Sequence, residues 1–213
     1  MTSPEQTPRA PGGASLLARS GAIVGVFFLL TLGSALLFAS TPLRQLSHLE
    51  TPLVRAFRTQ PLSGLLFSSA VALKAIGIFL TNFRLLLIGF AGVLAFRWKA
   101  LGIVGPVLGW GAIVYTYFTL FLNALAAGLV VAGAGAMKHV PWLLVWALGI
   151  LPHGIFEIGA YALTLSLLLA ARRPGPMRIA PVRWAVFASV VLFIAAWIEA
   201  GVTPRLLGLV LTR

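Results

Sequence analysis

The stretch VPWLLVWALGILPHGIFEIGAYALTLSLLLAA, residues 140–171, decides the fold. It holds no Lys or Arg, and Glu157 is its one acid. As a single helix it would run about 48 Å at 1.5 Å per residue, well beyond a hydrocarbon core of about 30 Å. Pro152 resolves the excess, because a proline inside a helix removes a backbone hydrogen bond and clashes with the preceding turn. The stretch therefore reads as a short apolar piece over 140–151 followed by a membrane crossing over 153–170.

The same pattern extends outward in both directions. The chain has 213 residues, 60% hydrophobic and 9% charged, with a mean hydropathy of +1.01. That composition excludes an ordinary water-soluble domain, and the length leaves room for about five crossings. The first lies at 21–39, a second at about 76–96, a third at about 102–132, and the last at about 183–202, closed by Thr203-Pro204. Residues 1–20 are rich in Pro, Gly, Ser and Thr and predict a disordered cytoplasmic tail. Over 40–60, Leu43, Leu46, Leu49, Leu53, Val54 and Phe57 recur at three and four among charged neighbours, predicting an amphipathic helix on the outer face. The block at 62–96 is too long for one perpendicular crossing, so its first part, up to Lys74, is expected at the interface. The expected fold class is all-α: a polytopic membrane helix bundle of about five transmembrane helices, one domain over 21–213, with the fourth block broken by proline.

Charge sets the orientation. Arg97, Lys99, Arg172, Arg173, Arg178 and Arg183 fall in two loops separated by two crossings, while the intervening loop holds Lys138. The basic loops belong on the cytoplasmic side, which puts the N-terminus inside and the C-terminus outside the cell (plasma) membrane. Trp98, Trp142 and Trp184 sit near crossing ends, as interfacial anchors do. The 16 Lys and Arg against four acids therefore point to membrane lipids as partners, with no nucleic acid, since no binding motif accompanies them. Gly21/Gly25 and Gly105/Gly109 have G-x-x-x-G spacing, suited to internal helix packing or to a homodimer.

The chain has no Asp and no Cys, and its acids are Glu5, Glu50, Glu157 and Glu199. Aspartyl proteolysis, EF-hand calcium sites, thiol nucleophiles, disulfides and Cys-based metal clusters are all excluded. Within the crossings an ionisable side chain costs several kcal/mol unless paired or wet. His153 and Glu157, spaced i, i+4, share one helix face, with Tyr161 one turn further on. The alternation of crossings places Asn82, Asn123, His153, Glu157 and Glu199 in the same half of the bilayer, predicting an intramembrane polar cluster. Three uses fit those residue types: a buried packing pair, with Arg84 as ion-pair partner; a metal site of His153, Glu157 and Glu199, for which Zn²⁺ suits one imidazole and two carboxylates; or proton or ion passage.

Residues 151–160, Leu-Pro-His-Gly-Ile-Phe-Glu-Ile-Gly-Ala, resemble the PHG-x-x-E-x-x-A signature of the stage II sporulation protein M (SpoIIM, DUF95) family. Ile78-Phe79-Leu80-Thr81-Asn82 and the segment Ala195 to Thr203 with Glu199 are similar to two further pieces of that family, and the likeness covers roughly residues 75–205. The usual Asn-Gly of the third region is replaced here by Gly105-Pro106-Val107-Leu108-Gly109. The resemblance implies a five-helix membrane protein and a non-enzymatic scaffold that organises cell-wall (peptidoglycan) remodelling or sporulation-type partners, such as wall hydrolases. The rival expectations are a transporter or channel component, for which an interrupted helix is suited, and an intramembrane metalloenzyme.

Overall fold

The computed structural model describes residues 13–40, 68–173 and 180–211. Among them all regular structure is helical: α1 (Gly13–Ser40), α2 (Ser69–Arg97), a 3-10 turn (Lys99–Leu101), α3 (Val104–Lys138), α4 (Trp142–Gly149), α5 (Leu151–Ala171), α6 (Pro181–Trp197), a π-turn (Ile198–Val202) and α7 (Thr203–Leu211). Five stretches are long and apolar enough to cross a membrane: Ala14–Ala39, Ser69–Arg97, Val104–Ala136, Leu151–Ala171 and Pro181–Val210. The protein is an all-α, multi-pass membrane bundle, as the sequence predicts.

The fourth span, α5, is the axis of the bundle. Of its most apolar window 72% is buried, against 22% for α1 and 33% for each of the other three spans. Lipid tails are as apolar as leucine, so helices associate through close packing and not through exclusion of water. Small residues make that approach possible. Gly92 of α2 is an example, since a Cβ there would sit 2.6 Å from Ala112 Cβ of α3 and 2.7 Å from Leu168 Cδ1 of α5. Gly128 of α3 lies against Ser34 of α1, whose hydroxyl is 3.2 Å from the Ala124 carbonyl it can donate to. Ser20 donates to Ser166 at 3.1 Å and so ties α1 to α5. Such interhelical bonds contribute about 0.6 kcal/mol each in membranes, so the close packing of Leu86, Leu165, Leu168 and Leu192 holds the bundle together more than they do.

Successive spans run in alternate directions. At one end Ser20 of α1 meets Ser166 of α5, the Arg172 guanidinium stacks over the Trp110 ring at 5.2 Å, and Gly105 abuts the Ala95 carbonyl. Arg97, Lys99, Arg172 and Arg173 gather there. At the other end Ala35, Val131, Val145 and Leu207 form a second apolar cluster that joins α1, α3, α4 and α7.

Several expectations are corrected. Helix α1 begins at Gly13, so residues 13–20 are not a disordered tail: Leu16, 1% exposed, anchors that first stretch in the core. Residues 1–12 lie outside the described residues, as does the amphipathic helix expected over 40–60, apart from Ser40. Helix α2 starts at Ser69 and not near residue 76, capped by the Ser68 hydroxyl, which accepts from the Val71 N–H at 3.3 Å. Helix α3 runs to Lys138, six residues past the expected 132, and stops where His139 takes the left-handed conformation, φ 54°. The break in the fourth block is real but lies at Ile150; Pro152 sits in the first turn of α5, where its missing N–H has no partner to lose.

The fifth span departs most. It does not end at Thr203-Pro204 but continues to Leu211. Pro204 has no N–H to offer the Ala200 carbonyl, and the chain widens into a π-turn in which the Thr203 N–H bonds the Ile198 carbonyl. The proline then falls in the first turn of α7 and the helix passes it. The glycine pairs divide. Gly105 and Gly109 pack internally, against Ala95 and the Phe96 ring, whereas among the described residues no atom outside α1 lies within 4 Å of a Cβ built at Gly21 or Gly25.

Candidate functional site

Two interruptions build the site. After the break at Ile150, α5 places His153 one residue beyond Pro152, and Glu157 and Tyr161 follow on the same face at intervals of four. Opposite them, the π-turn of the fifth span carries Glu199, and Thr203 follows it as the first residue of α7. π-turns within α-helices recur at functional positions, because the extra residue re-aims a side chain that a regular helix would carry elsewhere.

His153, Glu157 and Glu199 converge. One ligand-type atom from each lies within 4.8 Å of the other two. Each α5 member also has a partner outside that set. The Tyr161 hydroxyl donates to Glu157 Oε1 at 3.2 Å, with the Asn82 backbone carbonyl 3.4 Å away as a second acceptor. His153 Nδ1 is 3.1 Å from the Thr203 hydroxyl, which is buried. All three clustered residues are half-buried, and the core that adjoins them draws apolar residues from α2, α5 and α6. With about 1.5 Å of rise per residue, His153 lies roughly 3 Å and Glu157 roughly 9 Å along the span from the start of α5, so the site sits in the first third of that crossing.

The other sequence candidates are placed differently. Asn82 contributes its backbone carbonyl and not its amide. Asn123 is exposed on α3 and forms no hydrogen bond among the described residues, so it is not part of the cluster. Arg84 is exposed and makes no ion pair with Glu157 or Glu199; its charge lies within electrostatic reach of Tyr161. Lys74, also exposed on α2, is within reach of Glu199. Thr203 is the member that sequence reasoning missed, and its signal was there: it stands four residues after Glu199, as Tyr161 stands four after Glu157.

Electrostatics constrain the chemistry. Two carboxylates held this close in a poorly screening medium repel when both carry charge, and either a shared proton or a bound cation relieves the repulsion. One imidazole and two carboxylates are competent metal ligands, and the Tyr161 and Thr203 contacts are of the kind that orient such ligands. No family model, no curated protein and no solved structure matches this chain.

Proposed function

We propose that the protein is a membrane protein that takes up a cation at the His153–Glu157–Glu199 site, as a transporter or channel component does. The observation that carries this reading is the meeting of two carboxylates and an imidazole from two spans, each beside a helix interruption. Interrupted helices in membranes are the usual setting for ion sites, since they free backbone groups and offset side chains at depth. Reconstitution tests it. Wild-type proteoliposomes are expected to pass protons or divalent cations down an imposed gradient, and Glu157→Gln and Glu199→Gln to lose at least 90% of that flux. No flux from wild type under any gradient would sink the reading.

The orientation proposed is the one the charge distribution favours, with the Arg97/Lys99 and Arg172/Arg173 end cytoplasmic and the polar site toward the outer face. Because the chain has no Cys, Lys99→Cys is expected to resist an impermeant maleimide in intact cells and His139→Cys to react. The reverse pattern would invert the topology.

A scaffold for cell-wall remodelling partners is the second reading, favoured by the likeness of residues 151–160 to the PHG-x-x-E-x-x-A signature. Here that element forms the first turns of the central helix and supplies two of the three clustered side chains. Retention of a wall hydrolase by solubilised wild type, lost when His153 and Glu157 are replaced, supports it; no hydrolase retained counts against it.

A further inference from the structure

We propose that the cation is a divalent transition metal of the Zn²⁺ class, held by His153, Glu157 and Glu199 as a bond between the fourth and fifth spans. This rests on the cation reading above and names the ion. Three observations point to it.

The first is charge. A neutral imidazole and two carboxylates sum to −2, so a divalent ion neutralises the ligand shell itself, with the exposed Lys74 of α2 only within longer reach of Glu199. The second is ligand type. Imidazole suits Zn²⁺ and its neighbours in the first transition row, while Ca²⁺ takes six to eight oxygens and Mg²⁺ retains several waters. Among the described residues the oxygens beside the two carboxylates are the Tyr161 and Thr203 hydroxyls, each engaged with Glu157 or His153, and the Asn82 carbonyl beyond Tyr161.

The third is geometry. Tetrahedral bonds of about 2.1 Å set ligand atoms about 3.4 Å apart. The three atoms here lie within 4.8 Å of one another, so each needs to move by about an ångström, within the reach of glutamate torsions. Their outer contacts are already of the orienting kind. The Thr203 hydroxyl, 3.1 Å from Nδ1, can accept from it in the tautomer that carries its proton there, and in that tautomer the lone pair on Nε2 is the one left for an ion. Tyr161 donates to one oxygen of Glu157 and leaves the other free. Partners of this sort commonly change metal affinity 10–100-fold when removed. Thr203 and Tyr161 are accordingly positioning residues, one from each span.

The test uses the full chain in metal-free nanodiscs, titrated with Zn²⁺ and, separately, Co²⁺. Wild type is expected to retain one Zn²⁺ per chain and, with Co²⁺, to show the intense visible absorption of a four-coordinate ion. Glu199→Gln is expected to lose retention and the band. Tyr161→Phe and Thr203→Val keep the native packing shape and are expected to bind one ion about 10–100-fold more weakly, with the Co²⁺ band shifted. A packing role alone would leave affinity and spectrum unmoved. Wild type without stoichiometric metal, or metal undiminished in Glu199→Gln, overturns the proposal. Proton flux without metal retention would remove the metal and leave the cation site standing; absence of both would remove both.

Discussion

A chain carrying His153→Leu, Glu157→Met and Glu199→Leu together is expected to melt higher than wild type in metal-free detergent and to lose every response to added cation. The sign follows from what the cluster costs. Bringing two carboxylates and an imidazole into a poorly screening site is unfavourable unless an ion completes it, and replacing buried ionic groups by apolar side chains of similar volume often stabilises by about 1–4 kcal/mol. In a chain of this size each kcal/mol moves the melting temperature by about 2–4 °C. The partners left behind are provided for. Tyr161 keeps the Asn82 carbonyl 3.4 Å away, and Thr203 can turn its hydroxyl to its own helix, as Thr31, Thr116 and Thr164 already do. Groups retained against stability are retained for function. A lower melting temperature in the triple variant would instead mark the cluster as a packing device.

Pro204→Ala is expected to disconnect the site without deleting any member of it. Alanine restores an N–H for the Ala200 carbonyl, so the reason for the π-turn disappears and the span can regularise. The substitution removes no residue: drawing the wide turn in to α-helical spacing keeps Glu199 and Thr203 four residues apart but turns one against the other, by less than the roughly 100° that a residue spans in an α-helix. Both now converge on α5, from opposite ends of that turn. Helix α7 is held by Leu207, 3.3 Å from a Cβ at Gly149, and α6 by the edge-to-face pair of Phe193 and Phe79 at 5.5 Å. Whichever gives way, either the carboxylate or the hydroxyl leaves the site, and cation affinity is expected to fall at least tenfold with little loss of stability. Calorimetric titration of the purified variant reads this, and unchanged affinity would mean that the π-turn does not position Glu199.

How much of this was legible in the chain differs residue by residue. The His153–Glu157–Tyr161 face follows from i, i+4 spacing alone, and the approach of Glu199 follows from counting crossings, because antiparallel spans bring their ends to common levels. The five spans themselves follow from hydropathy and length. Asn123 could not be placed that way. Helix α3 is apolar on every side, with Phe118, Phe121 and Leu122 exposed and Leu120 and Ala124 buried, so periodicity carries no information about which face meets protein and which meets lipid. Asn82 fell in the right region but through its carbonyl, which residue type does not encode. Pro204 misled for a local reason. A proline is a fair terminator in general, yet tertiary contact between Leu207 and Gly149 rewards continuing the helix, and the π-turn absorbs the missing N–H. The early start of α1 was hidden by averaging composition over residues that include Leu16, whose burial no local propensity reveals.

Cross-linking across the two spans is the most direct measurement. The chain has no native Cys, so Glu157→Cys with Glu199→Cys can be treated with the shortest bifunctional thiosulfonate and then with trypsin, which can cut after Arg172 and Arg178 between the spans, Arg173 being protected by Pro174. The fragments are expected to remain joined for this pair and to separate for Glu157→Cys with Val186→Cys, whose second position is exposed near the far end of α6. Fragments that separate equally in both would mean that Glu157 and Glu199 do not meet inside the bilayer.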